Sequence, residues 1–282
     1  MNKVYNTVWN ESIGMWVVTS ELTRKGGQRP RQIRRTVLAG LVAGLLLPSA
    51  PTLATAWDSV TLGSGGTSGS MTLNAGDTAN NTTINSGGQQ YVSSGGSATS
   101  TTINGGGGQS VSRDGSATST TINGGWQSVY NSGSATSTTI NSGGQQNVSH
   151  DGSATSTTIN DGWQNVYNSG SATSTTINSG GQQHVSREGS ATSTTINSGG
   201  QQYVSSGGSA TSTTINSGGE QYVSNGGSAT STTVSNGGQQ YVYSGGSATS
   251  TTINNGGRQN VFSSGSATST TINSGGRQYV SG

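Results

Sequence analysis

From about residue 80 onward, large aliphatic side chains fall in two interleaved series. One is Ile84, Ile103, Ile122, Ile140, Ile159, Ile177, Ile196, Ile215, Val234, Ile253 and Ile272, with steps of 19 or 18 residues. The other is Val92, Val111, Val129, Val148, Val166, Val185, Val204, Val223, Val242, Val261 and Val280. From each valine to the next member of the first series is always 11 residues. The return is 8, or 7 in the two units that carry Trp126 and Trp163. Eleven units follow, each read as two short polar-apolar segments separated by glycine-containing turns. A unit of this size cannot bury a face alone, so the units must stack on one another. Gly-Gly pairs, Asn-Ser-Gly turns and β-branched Thr, Ile and Val argue against helix and for strand.

Alternation assigns the faces. With Ile103 pointing inward, Thr101 and Thr99 point inward too, and Ser100 and Thr102 face water. With Val92 inward, Gln90 is inward, and Gln89 and Tyr91 are outward. The copies agree with this parity. The inward position is glutamine in every unit: Gln90, Gln109, Gln127, Gln146, Gln164, Gln183, Gln202, Gln221, Gln240, Gln259 and Gln278. Its outward neighbours vary, through Tyr91, Ser110, Asn147 and His184 on one side and Gln89, Gly108, Trp126, Glu220 and Arg258 on the other. The expected fold is therefore all-β, a parallel β-helix (β-solenoid) of about eleven coils. Each buried glutamine bonds its copy on the next coil, about 4.8 Å away. Asn85, Asn104, Asn123, Asn141 and their successors form a second ladder at a turn, interrupted by Ser235.

Leu62, Leu73 and Ile84 are each 11 residues apart, so residues 57–79 read as a degenerate first coil capping residues 80–282. The sequence ends at Val280-Ser281-Gly282, inside a unit. On its face this is a truncated chain, a gene fragment, or a chain whose remainder lies elsewhere, with strand edges exposed on the last coil.

Residues 1–56 form a leader of different character. Arg29, Arg31, Arg34 and Arg35 precede an apolar run from Val37 to Leu47, which Pro48 and Pro51 break. Ala54-Thr55-Ala56 then offers small side chains to a signal peptidase, with cleavage between Ala56 and Trp57. The run is about half the roughly 20 residues a membrane-spanning helix needs. An uncleaved anchor is the alternative.

Composition rules out a thick-cored enzyme: 27% of the 282 residues are hydrophobic, 7% are charged and 48 are glycine, against about 45–50% apolar and about 25% charged in an ordinary domain. Without cysteine there is no disulfide, thiolate metal site or cysteine nucleophile. The net charge of +2 resides in the leader, which holds seven of eleven cations and two of nine acids. The remainder carries four Arg and seven acids, 4 − 7 = −3, which leaves no electrostatic footprint for nucleic acid.

No constellation demands catalysis, a cofactor or a metal. Asp114, Asp151 and Glu188, each after a cation (Arg113, His150, Arg187), recur every 37 residues. That spacing places neighbouring carboxylates about 9.6 Å apart, near the range used by inverting glycosidases. Trp126 and Trp163 share the 37-residue step, so duplication of a two-coil block accounts for the acids. His150 and His184 occupy different repeat positions and form no ligand cluster. Calcium-type G-G-x-G-x-D repeats are absent from the sequence, and inward Thr99 and Thr101 argue against an ice-binding row.

Two stretches resemble a known family. Met1-Asn2-Lys3, Trp9-Asn10 and Gly14-Met15-Trp16-Val17-Val18-Thr19-Ser20-Glu21-Leu22 resemble the extended signal peptide of type V secretion proteins, the autotransporters. The unit N-S-G-G-Q-Q-Y-V-S-S-G-G-S-A-T-S-T-T-I, over residues 80–282, resembles the repeat of AIDA-type self-associating adhesins. The resemblance implies export across the inner membrane with the passenger kept unfolded, and use of the outer-membrane assembly machinery. It implies adherence, autoaggregation through self-association, biofilm growth, and a host surface or glycan receptor. It also implies O-heptosylation of repeat serines or threonines by a cytoplasmic heptosyltransferase. The Ser-Ala-Thr-Ser-Thr-Thr segment recurs unchanged in ten units. Its acceptor candidates are Ser97, Ser116, Ser134, Ser153, Ser171, Ser190, Ser209, Ser228, Ser247 and Ser266 at the first position. At the fourth they are Ser100, Ser119, Ser137, Ser156, Ser174, Ser193, Ser212, Ser231, Ser250 and Ser269. A secreted polysaccharide-active solenoid enzyme is the alternative, or a repeat fragment that only serves the glycosyltransferase as substrate.

Overall fold

The computed structural model describes residues 5–10, 15–20 and 53–282. These belong to two units, Met1–Thr52 and Leu53–Gly282. In the first, Tyr5–Asn10 pairs antiparallel with Met15–Ser20, and Trp9 lies opposite Trp16. The two indoles meet edge to face with centroids 5.6 Å apart. The basic stretch Arg29–Arg35 and the apolar run 37–47 lie outside the described residues.

The second unit is a parallel β-solenoid with three sheets of twelve strands each. Each sheet takes one strand from every rung. A typical rung runs Ser190–Thr192, Thr195–Ile196 and Gln201–Val204. Neighbouring rungs pair in register, residue on repeat-equivalent residue: Ala191 on Ala210, Ile196 on Ile215, Gln202 on Gln221, Val204 on Val223. The first rung consists of Ala56–Asp58, Thr61–Leu62 and Ser70–Leu73. There Leu62 sits against Ile84 and Leu73 against Val92. In the last rung Ile272 and Val280 are exposed.

The three-strand rung corrects the two-segment reading. Ser100 stands at φ +56 and its copies at +54 to +58. One residue in the left-handed region turns the chain through a corner and resets the alternation that an extended segment would keep. Ala98, three residues before Thr101, is therefore buried with it, and Thr99, expected inside, lies half-exposed on the outer face. A second corner follows the isoleucine. In Asn197-Ser198-Gly199-Gly200, Gly199 takes φ +74, and a Cβ on Gly200 would lie 2.6 Å from the carbonyl oxygen of Ile177 one rung back. Only glycine allows that approach.

Between the first and last rungs, each rung thus buries Ala, Thr, Ile (Val234 in one), Gln and Val, as with Ala191, Thr194, Ile196, Gln202 and Val204. Two large aliphatics do not offset the entropy of ordering nineteen residues. The remaining stabilisation lies between rungs, in backbone ladders and in the glutamine column. Gln109 Nε2 donates to Gln90 Oε1 at 2.7 Å, and the bond repeats at every step to Gln278 on Gln259 at 2.7 Å. Threonine is woven in: Thr194 Oγ1 donates to Gln183 Oε1, and Gln202 Nε2 donates to Thr194 Oγ1. In the first rung Met71 takes the glutamine position, and its sulfur accepts from Gln90 Nε2 at 3.6 Å. A thioether is a weak acceptor that needs no donor below it, which ends the column. Among the described residues no buried side-chain nitrogen or oxygen lacks a partner.

The central rung tests the column. Gln164→Glu keeps shape but removes the Nε2 donor and points a carboxylate at Gln146 Oε1. A buried charge left unpaired costs about 3–5 kcal/mol. The urea midpoint followed by circular dichroism at neutral pH should fall accordingly, and replacing Gln146, Gln164 and Gln183 together should abolish the strand signal. An unchanged midpoint would refute the ladder.

Candidate binding surfaces

The two classes of candidate serine occupy different places. Ser97 and its copies are half-buried on the outer face of the Ser-Ala-Thr sheet, stacked in register, apart from the exposed Ser266 of the last rung. Ser100 and its copies form a column of exposed corners. Their backbones continue the ladder, with Ser193 N–H donating to Thr211 carbonyl at 2.9 Å. The corner turns these side chains away from the flat sheet, so a substituent there meets solvent rather than neighbouring strands.

The acids lie elsewhere. Asp114, Asp151 and Glu188 sit at the third corner of the rung at φ +62, +60 and +65, exposed, with Arg113, His150 and Arg187 before them. Serine takes the same position in the intervening rungs, at Ser132 and Ser169. His150 lies beside Ser149, whose Oγ is 3.1 Å from Nδ1. Among the described residues no group of three His, Cys, Asp or Glu could hold a metal ion. Ala56 and Trp57, the expected cleavage pair, lie in the first strand beside Thr78 and Ala79. Thr55 N–H donates to Asp77 Oδ1 at 2.8 Å. The N–H groups of Asn74 and Thr55 hold the Asp77 carboxyl below the usual carboxylate range.

The Gln-Val sheet carries features that sequence reasoning missed. Its variable outward position becomes an aromatic column. His184, Tyr203, Tyr222 and Tyr241 stack with centroids 4.9, 5.0 and 5.0 Å apart and planes within 9°. Tyr243 and Phe262 extend it at 5.3 Å. The strand spacing sets this separation. The hydroxyls of Tyr203, Tyr222 and Tyr241 donate to Gln201, Glu220 and Gln239 in their own strands. Burial, then the hydrogen bond to Glu220, pushes the Tyr222 phenol above its ordinary range. Burial also pushes the His184 imidazole down. The signal was present in the sequence as three tyrosines in consecutive units, but it stood in a position that varies elsewhere.

The two tryptophans, copies in the duplicated block, differ in surroundings. Trp126 is half-buried and lies over Gly108, where a Cβ would collide with its ring. Trp163 lies between Gln145 and Gln182 in register and stays 41% exposed. Beside it opens a shallow groove of about 460 Å³ lined by Asp161, Trp163, Asn165, Gly180, Gln182 and His184.

Against this geometry the chain matches two family models. Residues 1–50 match the extended signal peptide of the type V secretion system. The model of the adhesin of the bacterial autotransporter system, probable stalk, matches residues 58–107, 79–125, 160–200, 187–238 and 221–276. The chain belongs to the autotransporter adhesin stalk family. Its leader and its relatives place this chain among those exported to the cell surface or outer membrane. The chain is 69% identical over 93 residues to the autotransporter CRAC of Citrobacter rodentium (strain ICC168). It is 66% identical over 92 residues to the autotransporter adhesin/invasin TibA of Escherichia coli O78:H11 (strain H10407 / ETEC). Each match covers 33% of this chain but only 6% and 9% of those relatives, so the chain spans a small part of their length. It is also similar to the crystal structure of a TibC-catalysed, hyper-glycosylated TibA fragment. That likeness has a TM-score of 0.67 and 52% identity, and covers 81% of this chain and 100% of that one.

Gly108 provides a direct check on the outer face. Gly108→Gln restores the residue common in other units and drives the Trp126 ring off its seat. Overpacking of this kind costs about 1–3 kcal/mol. The variant should unfold at lower urea, with tryptophan emission shifted to the red; a blue shift or no shift would contradict the packing.

Proposed function

We propose that this chain is the stalk of a surface-displayed autotransporter passenger that mediates bacterial adhesion, autoaggregation and biofilm formation. It carries O-linked heptose on repeat serines and performs no catalysis. The observation that carries this reading is the unvaried, exposed serine column on a solenoid 52% identical to a hyper-glycosylated fragment. The corner serines, Ser100 and its copies, are the preferred acceptors, because a sugar added before folding must still be accommodated afterwards. Ser97 and its copies would carry theirs among strands about 4.8 Å apart.

Self-association fits the rest of the surface. With a net charge of −3 over residues 57–282, neighbouring stalks repel one another weakly. The outer faces offer Ser, Thr, Asn and Gln groups in fixed rows. A host surface or glycan receptor is the second class of partner, the cytoplasmic heptosyltransferase a third, and the export and outer-membrane assembly machinery a fourth. Cleavage after Ala56 would begin the mature chain on the first strand. The exposed acids at alternate corners give the enzyme reading little support. Loss of a detectable glycan cleavage in the Asp114→Asn/Asp151→Asn/Glu188→Gln variant would revive it.

Intact mass and peptide mapping of the chain from its own host test the proposal. Heptose increments should appear on the Ser-Ala-Thr-Ser-Thr-Thr peptides, and the mature start at Trp57. Glycine tolerates the corner conformation at least as well as serine. Replacing the corner serines Ser137, Ser156, Ser174 and Ser193 by glycine should therefore remove the sugars there and leave the urea midpoint nearly unchanged. Unmodified peptides in the native chain would sink the glycosylated reading, and sugars surviving the replacement would move the acceptor to the Ser97 class.

A further inference from the structure

The groove beside Trp163 has the make-up of a ligand site, and its contents narrow the ligand. Its volume of about 460 Å³ lies within the roughly 300–1,000 Å³ of small-molecule sites. Along the sheet, the aromatic column ends at His184. One face of that imidazole stacks on Tyr203, and its other neighbour in register is Asn165, which has no ring. The tyrosines spend their faces on one another, whereas Trp163 has an amide on each side and keeps a large exposed surface. The turn that follows supplies space: Gly180, at φ +78, has no side chain, and a Cβ there would lie 2.6 Å from Asp161 Oδ1.

The shape of the groove arises from a local change in the repeat. In the Trp163 unit the turn Asn160-Asp161-Gly162 is one residue shorter than Asn-Ser-Gly-Gly, and the sister unit reads Asn123-Gly124-Gly125. Asp161 replaces Gly124 and takes a left-handed conformation, φ +58. Aspartate is among the few residues that accept it. The sister indole has Gly108 to lie on, while the Trp163 indole faces Gln145 and is left in solvent.

These groups match a ring that is polar at its rim and apolar on one face. The negative face of an indole attracts the slightly positive C–H groups of such a ring. Asp161 accepts hydroxyl protons, and the amides of Asn165 and Gln182 both donate and accept. His184 Nε2 lies 3.2 Å from Gln182 Oε1. In the tautomer with the proton on Nε2, that contact is a hydrogen bond to Gln182 and Nδ1 is an acceptor. An anion is disfavoured by Asp161 and meets no cation in the lining. An extended peptide finds no free edge, since the strands here are paired on both sides.

We propose that the groove at Asp161, Trp163, Asn165, Gln182 and His184 is a binding site for a neutral pyranose sugar stacked on Trp163. The site refines the adhesion reading by naming a ligand class for one face of the stalk. The sugar can come from a glycan on another surface or from a modified serine on a second copy of this chain.

The test uses the full chain, produced with and without the glycosyltransferase, and a panel of methyl pyranosides: glucose, galactose, mannose, fucose, N-acetylglucosamine and a manno-configured heptose. The indole N–H resonance that Trp163→Ala deletes is followed by NMR. At least one glycoside should shift it saturably in the unglycosylated chain. By proton resonances of the glycoside itself, Trp163→Ala and Asp161→Ala should weaken binding about tenfold or more, while Trp126→Ala leaves it intact. Circular dichroism checks that each variant is folded. If the sugar belongs to a second copy, the glycosylated chain sediments as a larger species that Trp163→Ala or free glycoside returns to monomer. If it belongs to another surface, both forms bind the glycoside as monomers. No shift with any glycoside, a shift that persists equally in the Trp126-side resonance alone, or a response to tetramethylammonium and to no sugar would overturn the proposal. Such a failure leaves adhesion standing, because aggregation of cells displaying the chain is measured separately.

Discussion

The structure depends on a hydrogen bond between identical amides. Each inward glutamine has a donor facing one rung and an acceptor facing the next, so the same residue satisfies both neighbours only if rungs stack in register. A shift by one residue would set Gln202 opposite Tyr222 or Glu220 and leave amides buried without partners. The penalty for each, about 1–3 kcal/mol, recurs at every rung. Burial of aliphatics resists the same slip, which would turn Val204 outward, and the amide column adds a directional requirement that burial lacks. The column also has polarity: every Nε2 points toward the preceding rung. Aligned amide dipoles strengthen one another. This explains how so sparse a core, one isoleucine and one valine per rung, supports a single fold.

Much of this was legible in the sequence because a solenoid repeats its own experiment. Gln90 and its ten copies reveal an inward position without any structure, since the neighbours at Gln89 and Tyr91 drift and they do not. Leu62 and Leu73, at the same spacing in a segment that otherwise lacks the repeat, mark the first rung. What escaped was conformational. Ser100 adopts a left-handed corner although serine prefers other regions, and no residue pattern announces it. Alternation carried through that corner placed Thr99 inside and merged two strands into one segment. The side-chain column of His184, Tyr203, Tyr222 and Tyr241 escaped for another reason. Outward variation across eleven units concealed a local run of four, visible only when in-register stacking brings those rings face to face. The hairpin between Tyr5 and Ser20 was concealed too, because its strand pattern coincides with a motif read for its identity alone.

The same stacking that secures the core determines what the surface can do. Any outward residue stands in a column with its copies, so one favourable substitution, once duplicated, becomes a row. The corner serines form such a row of hydroxyls, and the tyrosines form a ridge whose faces are consumed internally. A row of weak sites amplifies contact through effective concentration, since the second contact follows the first at fixed spacing. An adhesive surface built this way needs no strong single site.

The Trp163 rung departs from that logic, and the departure is informative. A row would repeat Trp163 at every rung; here the groove needs Trp163, the shortened Asp161 turn, the side-chain-free Gly180 and the end of the aromatic column at His184 to coincide. Its sister at Trp126 shares the ring and the short turn but has Gly108 beneath it and Gly124 in place of Asp161. Duplication therefore delivered the same indole twice, and the neighbours of each decided whether it became packing or remained open. In a fold where contacts reach only adjacent rungs, a change of this kind stays local, because the glutamine column beneath it is unbroken from Gln146 to Gln183. A periodic core can thus carry an aperiodic site without loss of register.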